Sequence, residues 1–393
     1  MTRLGIKARM LLFGLLMIIN ALSPLFSTAN AAYSQTENFG VTVLMVGQTA
    51  TFASVSKDAE IISQNKNIAT VNGQTITAVG VGFVELRIKH NNITKKRYIA
   101  VQLPSSKENK MYDTTANLQD DIHTAASDYK RRMHFLIELS VTENKNEKKD
   151  NANIKKAIET FVPTAEGLNI AYCDTYYLSY LYERLDKNTV QVQASLTFGF
   201  NPAAAVSAKY RGDSIKLNKK EKALYERCQA VIKTLDLKKL ETRYEIALTV
   251  HDHLVLNMAF DVEATEKGHW LEAEDSYNAY GALVNGKATC KGYAQAMKLL
   301  LEAVDVPCDY VVGKRDGWHA WNRVQLDDKK WYNIDASADD PIPDVKGRVS
   351  HKYFCVTDKQ LRKTHSWDDT AHTCTATTYS YVNIQKLLKA KED

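Results

Sequence analysis

The sequence predicts an all-β sandwich near the N-terminus and a larger α+β domain behind it. Residues 38–103 contain short alternating apolar runs separated by turn residues. Several short strands at this spacing are typical of a β-sandwich. From residue 111 onward, runs with helical periodicity alternate with runs of strand periodicity, which indicates mixed structure. The apolar fraction of 45% and the charged fraction of 25% are ordinary for a globular protein.

Residues 1–31 have the pattern of a secretory signal peptide. Arg3, Lys7 and Arg9 precede a mostly apolar run over residues 10–22, which is short for a membrane span. Residues 29–31 read A-N-A, a small-x-small cleavage pattern. We therefore predict a secreted or cell-surface protein with no membrane span after cleavage. An uncleaved anchor is the alternative.

The net charge argues against two classes of partner. The chain carries a formal charge of +5 at pH 7. Since residues 1–31 contain three basic residues and no acidic one, the rest of the chain carries only about +2. That charge is too small to predict binding to nucleic acid or to an anionic membrane.

The predicted sandwich carries three recognisable segments. Residues 46–49 read V-G-Q-T, residues 65–73 read N-K-N-I-A-T-V-N-G and residues 79–86 read V-G-V-G-F-V-E-L. They resemble the bacterial immunoglobulin-like group-2 module, and the resemblance implies a surface spacer or a binding unit. Polar residues 104–110 lack periodicity and are predicted to form a linker.

Residues 111–239 are predicted to form an α+β region that precedes the core and carries no identifiable chemistry. Runs at residues 177–183 and 189–198 flank a turn and predict a hairpin. The region is rich in tyrosine, which either packs one face of the sheet or forms an aromatic substrate platform. These tyrosines are Tyr172, Tyr176, Tyr177, Tyr180 and Tyr182.

The chemistry is concentrated in residues 240–380, beginning with Cys290. Apolar residues recur at helical spacing after it, at positions 294, 297, 300 and 301. Cys290 is therefore predicted at a helix N-terminus, where free N–H groups and the helix dipole favour a thiolate. Its backbone N–H would face an oxyanion on the attacked carbon.

His319 and Asp335 lie on two predicted strands, residues 318–326 and 330–336, joined by a turn near Asp328. That turn places His319 opposite a residue close to Asp335. Taken singly, a cysteine is usually a buried apolar residue, a histidine structural and an aspartate a cap. Together, Cys290, His319 and Asp335 have the residue types of a nucleophile, its base and the group that orients the base.

The same stretch resembles the transglutaminase-like superfamily. Residues 288–294 read A-T-C-K-G-Y-A, residues 319–321 read H-A-W and residues 331–335 read W-Y-N-I-D. Ala288 replaces a usual glycine, and Phe260 replaces the tyrosine that usually precedes an aspartate. The resemblance implies a papain-like α+β fold with Cys290 as nucleophile, His319 as base and Asp335 as orienter, and it leaves the reaction open.

We expect acyl transfer through a thioester on Cys290, with hydrolysis of a peptide or amide bond favoured. A protein-crosslinking transamidase and a non-catalytic surface protein are the alternatives. The expected partner is a protein or peptide, a cell-wall component included. We predict no cofactor.

Candidate substrate-binding residues are Trp318, Trp321 and Tyr280. Candidates for the second oxyanion donor are Tyr280, Asn278 and Asn285. Residues 314–316, K-R-D, are predicted to form a mobile lip at the site, and their cations disfavour an incoming ammonium.

No metal site is predicted. His251 and His253, two positions apart on a predicted helix, face different directions. Of the six cysteines, Cys228 and Cys308 are predicted in the core, and a disulfide between Cys355 and Cys374 stays open.

Overall fold

A computed structural model describes residues 19–20, 41–51, 55–104, 109–163, 170–267, 274–368 and 371–392. The chain separates into two compact units that alternate along the sequence. The first consists of Met1–Thr164 and Thr175–Phe198, and the second of Ala165–Asp174 and Gly199–Asp393. The domain boundaries proposed from the sequence remain predictions. The predicted signal peptide, apart from Ile19–Asn20, and residues 105–108 of the predicted linker lie outside the described residues.

The strands up to residue 200 are β1 (Ile19–Asn20), β2 (Val41–Met45), β3 (Thr49–Thr51), β4 (Glu60–Ser63), β5 (Ala69–Asn72), β6 (Thr75–Ala78), β7 (Gly82–His90), β8 (Ile93–Gln102), β9 (Met111–Tyr112), β10 (Arg132–Ser140), β11 (Cys173–Arg184) and β12 (Thr189–Phe200). Residues 41–102 form a sheet in the order β2-β8-β7-β4 and a sheet in the order β3-β6-β5. Ile76 of one sheet and Leu86 of the other lie in the same hydrophobic cluster. The region is therefore β-rich, and its immunoglobulin-like identity remains a proposal.

A five-stranded sheet in the order β1-β11-β12-β10-β9 completes the first unit, together with helices α1 (Thr115–Ser127) and α2 (Glu147–Phe161). The predicted hairpin over residues 177–198 is confirmed as β11 and β12. Tyr176 donates its hydroxyl to Pro163 O at 2.7 Å and Tyr182 donates to Asn151 Oδ1 at 2.6 Å. These hydrogen bonds favour the interpretation of the tyrosines as packing residues.

Hydrogen bonds join the two parts of the first unit. Val81 N donates to Ser195 Oγ at 2.7 Å, and Leu103 N donates to the Gln193 side chain at 2.9 Å. The β-rich region therefore contacts the face of β12 that carries these two side chains.

The second unit contains helices α3 (Pro202–Tyr210), α4 (Lys219–Thr234), α5 (Arg243–Asn257), α6 (Val262–Lys267), α7 (Cys290–Glu302), α8 (Ala336–Asp339), α9 (Asp358–Leu361) and α10 (Tyr381–Glu392). Its strands are β13 (Ala259–Phe260), β14 (Lys287–Ala288), β15 (Cys308–Lys314), β16 (Trp318–Gln325), β17 (Trp331–Ile334) and β18 (Phe354–Val356). Strands β15 to β18 form one sheet in chain order. Asn218 caps α4 through a capping box with Glu221.

Helix α7 is the centre of the second unit. It packs on β15 and β16 and also on α3, α5 and α8. Gln295 on α7 accepts a hydrogen bond from Asn201 at 2.9 Å. Glu302, at its C-terminal end, accepts hydrogen bonds from Tyr172 and Ser207, each at 2.8 Å. These contacts hold the helix that begins with Cys290.

Candidate active site

The N-terminus of α7 presents Cys290, as the sequence predicts. Thr289 precedes the helix and donates its backbone N–H to Ser276 O at 2.8 Å. A Cβ added to Gly292 would lie 2.6 Å from Ala288 Cβ and 3.0 Å from Ser276 O. Only glycine therefore lets the first turn of α7 approach the preceding segment so closely.

Asp261 braces the segment that leads to Cys290. Its carboxylate accepts hydrogen bonds from Ser276 Oγ at 2.6 Å and Ala264 N at 3.1 Å, and it pairs with Lys287 Nζ at 2.8 Å. Its backbone N–H donates to Ala288 O at 2.9 Å. Sequence analysis assigned no role to this aspartate, which follows Phe260, the residue that replaces the usual tyrosine.

The predicted hairpin that carries His319 is confirmed. Strands β16 and β17 pair antiparallel, with Asn322 opposite Ile334, which is the register that a turn near Asp328 predicts. His319 lies opposite Gly313 of β15 on the other side. Asp335 follows β17 directly and caps α8, so the end of a strand and the start of a helix both fix its position.

The structure brings Cys290, His319 and Asp335 together. His319 Nε2 donates to Asp335 Oδ2 at 2.7 Å. The His319 ring is also hydrogen-bonded to the Cys290 thiol, which leaves Nδ1 as the nitrogen that faces sulfur. Asp335 Oδ1 accepts hydrogen bonds from Ser337 Oγ at 2.8 Å and Ala338 N at 3.0 Å. The carboxylate is 1% exposed and satisfied on both oxygens.

The charges of this group favour a thiolate and an imidazolium. Burial alone would raise the pKa of Cys290, but the hydrogen bond and charge of His319 lower the pKa of this thiol below its ordinary value. Burial alone would lower the pKa of His319, whereas the Asp335 charge raises it to about 10. Burial opposes ionisation of Asp335, yet the His319 charge holds the pKa of Asp335 far below its usual range. An ion pair of this kind is the reactive form of a nucleophilic cysteine.

The other cysteines have different surroundings. None of the six forms a disulfide, Cys355 and Cys374 included. Burial raises the pKa of the Cys228 thiol to about 12, and burial also raises the pKa of Cys308. These buried thiols remain protonated at neutral pH, so the polar partners of Cys290 distinguish it chemically.

His365 is a further member of the site. Its Nε2 donates to the same Asp335 Oδ2 at 3.0 Å, and its Nδ1 lies 2.8 Å from Thr364 Oγ1. Its ring is tilted against the His319 ring at a centroid distance of 5.2 Å. No spacing or periodicity in the sequence relates His365 to Asp335, which lies 30 positions earlier in the chain.

The two candidate tryptophans have different positions. Trp321 is 1% exposed, stacks near His319 at 6.2 Å between ring centroids and donates Nε1–H to Asn333 Oδ1 at 3.2 Å. Trp318 is 57% exposed, and the Lys314 ammonium lies 5.4 Å from its ring centroid. Adjacent residues of a strand point to opposite faces, so Trp318 points away from the face of His319.

The candidates upstream of Cys290 have contacts elsewhere. The Asn278 side chain accepts from Tyr280 N at 2.8 Å and donates to Glu274 O at 3.0 Å. The Lys220 ammonium lies over the Tyr280 ring at 4.9 Å. Asn285 lines a separate cleft with Arg227. The second oxyanion donor remains a prediction among these three residues.

The loop between β15 and β16 carries the two predicted cations. Lys314 exchanges backbone hydrogen bonds with Ser366, at 2.8 and 3.0 Å. The Arg315 guanidinium lies 5.3 Å from the centroid of the Tyr353 ring. Both cations lie on the segment that leads to His319, and each contacts an aromatic ring.

Comparison with known proteins identifies the family of this region. Residues 233–336 match the transglutaminase-like superfamily. This range contains Cys290, His319 and Asp335, and the chain therefore has a transglutaminase-like domain of mixed α and β structure. No curated protein matches the chain.

Three solved structures show partial similarity. A structure described as a TGase is 14% identical, covers 73% of this chain and 72% of its own, and has a TM-score of 0.29. A protein from Cytophaga hutchinsonii, whose name proposes a cysteine protease, is 12% identical, with coverages of 55% and 69% and a TM-score of 0.24. A Parabacteroides distasonis protein, whose name proposes a protease, is 11% identical, with coverages of 76% and 68% and a TM-score of 0.21.

Proposed function

We propose that this protein is a thiol enzyme that transfers acyl groups through a thioester on Cys290, with hydrolysis of a peptide or amide bond as its reaction. The observation that carries the proposal is the continuous hydrogen-bonded chain from Cys290 through His319 to Asp335. Nucleophile, base and orienter lie in reach of one another, as this chemistry requires.

In the proposed reaction the Cys290 thiolate attacks the acyl carbon and forms a C–S bond. The Cys290 N–H, at the start of α7, stabilises the oxyanion. The imidazolium of His319 then gives its proton to the leaving amine as the C–N bond breaks. In the second half, His319 takes a proton from water, the hydroxide attacks the thioester, and the carboxylic acid leaves as the thiolate is restored. Asp335 keeps the imidazole oriented throughout.

Hydrolysis is favoured over transamidation by the surroundings of Trp318. A transamidase must keep water from the thioester and admit an amine, which is an ammonium in solution, through an apolar passage. Trp318, which is 57% exposed, points away from the His319 face and supplies no such wall. Lys314 and Arg315 add positive charge that repels an incoming ammonium.

The reaction is tested by incubating the full chain with a library of glutamine-containing acyl-donor peptides and excess primary amine. Mass spectrometry separates the hydrolysed product from the amine adduct. Hydrolysis should dominate, and Cys290→Ala should abolish it, whereas the matched change of a buried thiol, Cys308→Ala, should preserve it. Amine adducts as the main product would show that the reaction is transamidation and not hydrolysis. Absence of any thioester with every donor would indicate a non-catalytic surface protein.

We also propose that the protein acts outside the cell on a protein, a peptide or a cell-wall component. The N-terminal charge pattern and the apolar run of residues 10–22 support secretion. In the described part of the chain, no helix has the length and hydropathy that crossing a bilayer requires. N-terminal sequencing of protein collected from the medium tests this, and a mature chain that starts near residue 32 is expected.

A further inference from the structure

A second cluster of histidine and carboxylate groups lies in the second unit, outside the candidate active site. His251 and Asp252 are neighbours on α5, and His351 comes from the loop before β18. His251 Nδ1 lies 2.8 Å from Asp252 Oδ1, and His351 Nε2 lies 2.7 Å from the same oxygen. One atom from each of the three residues lies within 4.8 Å of the other two.

We propose that His251, Asp252 and His351 bind a divalent first-row transition ion, Zn²⁺ in particular. Two imidazole nitrogens and one carboxylate oxygen are ligands that Zn²⁺ prefers, at about 2.0–2.2 Å from the metal. Small side-chain rotations are enough to place one ion among atoms that are already this close. The ion replaces the protons that the two rings share with Asp252, and these protons pass to solvent.

The surroundings of His251 have the arrangement of a metal ligand. Its side chain is completely buried, and its other nitrogen, Nε2, lies 3.3 Å from Asp339 Oδ2. Asp339 is itself fixed by Tyr353 N at 3.0 Å and by Ser350 Oγ at 2.9 Å. A histidine that binds metal usually donates its second N–H to a carboxylate, which fixes the tautomer of the ligand.

The cluster is also open to solvent at Asp252 and packed against α10 at His351. The Asp252 side chain is 31% exposed, so an ion and a water ligand can reach it from solvent. The His351 ring stacks on Tyr381 of α10 at 3.9 Å between centroids. A bound ion would therefore fasten the segment after residue 350 to α5. Sequence analysis rejected His251 and His253 as a metal pair and predicted no metal site. The structure instead places the His251 ring 5.3 Å from that of His351, which lies 100 positions away along the chain.

Metal titration of the full chain tests the site. The background is Cys290→Ala, which removes the thiol beside the other cluster of two histidines and a carboxylate. After removal of metals with a chelator, Zn²⁺ is titrated against a competing chelator, and Co²⁺ is titrated as a spectroscopic probe. About one Zn²⁺ per chain should bind, and Zn²⁺ should raise the thermal unfolding midpoint.

Variants locate the ion. His351→Gln and Asp252→Asn should each weaken Zn²⁺ binding by about a hundredfold, and Asp339→Asn by about 10–100-fold. The matched control His253→Gln, on the same helix, should bind as the background does. Circular dichroism establishes that each variant is folded, and the isosteric Asp252→Asn remains informative if His351→Gln unfolds. Absence of stoichiometric binding in the background overturns the proposal, as does loss of binding with His365→Ala but not with Asp252→Asn.

Discussion

Two carboxylates of the second unit, Asp335 and Asp252, each lie within hydrogen-bond distance of two histidines, yet their surroundings differ. Asp335 is 1% exposed, and backbone and hydroxyl donors satisfy its second oxygen. The Asp252 side chain is 31% exposed. Only the Asp335 cluster has a thiol against one of its imidazoles. A pair of histidines on a carboxylate therefore does not distinguish the two clusters; the thiol beside His319 and the enclosure of Asp335 do.

The largest expected effect comes from removal of the base that is hydrogen-bonded to the Cys290 thiol. His319→Gln removes the cation that stabilises the Cys290 thiolate, so the thiol should return to an ordinary or higher pKa. At about pH 6 its alkylation by iodoacetamide should slow by about a hundredfold, since a free thiol is then mostly protonated. Peptide mapping by mass spectrometry measures the rate at each cysteine. Equal wild-type rates at Cys290 and Cys308 would contradict an activated thiol.

The second prediction compares the two histidines that come from distant segments. His365→Ala removes a fully buried ring and leaves Asp335 without one donor, so the free energy of unfolding should fall by about 2–4 kcal/mol. His351→Ala removes a ring whose side chain is 12% exposed and should cost less, about 1 kcal/mol, when metal is absent. Urea unfolding in the presence of a chelator measures both. A greater loss of stability from His351→Ala would indicate that the Asp252 cluster is more tightly enclosed than the Asp335 cluster.

The third prediction exchanges each carboxylate for its amide. Asp335→Asn removes the charge that raises the pKa of His319, and alkylation of Cys290 at about pH 6 should slow by about tenfold. Asp252→Asn should leave that rate unchanged within about twofold. A comparable loss from the two changes would show that both clusters act on the thiol.

The fourth and smallest effect is a dependence of stability on pH, measured in the Cys290→Ala background so that the thiol does not titrate. Asp335, the largest cause that raises the pKa of His319, is retained in this background and keeps the folded pKa above its unfolded value. The contribution of His319 to stability is therefore complete below about pH 6.5 and is lost as the pH rises through the folded pKa. We compare the free energy of unfolding of Cys290→Ala with that of Cys290→Ala/His319→Gln. The difference between them should fall by at most about 1.4 kcal/mol for a rise of one pH unit above neutrality. A constant difference would show that His319 is not charged there.

Sequence reasoning succeeded where local patterns determine position. The register of β16 and β17 follows from alternation and turn residues, and the helical period after Cys290 places it at the start of α7. His365 and His351 reach their carboxylates through loops, and no periodicity relates loop residues to distant partners. The substrate-binding role predicted for Trp318 depends on which face of β16 its side chain occupies, and in the structure that side chain is exposed to solvent.

Because the two units alternate along the chain, few positions allow the chain to be truncated without loss of contacts in the second unit. A fragment of residues 240–380, or of the matched range 233–336, would omit Asn201, Tyr172 and Ser207, which anchor Gln295 and Glu302 on α7. Gln295 is fully buried, and a buried acceptor that loses its donor costs about 1–3 kcal/mol. Recombinant expression of the minimal region should therefore give a poorly folded helix α7. A fragment must start before residue 170 to retain all three of these contacts.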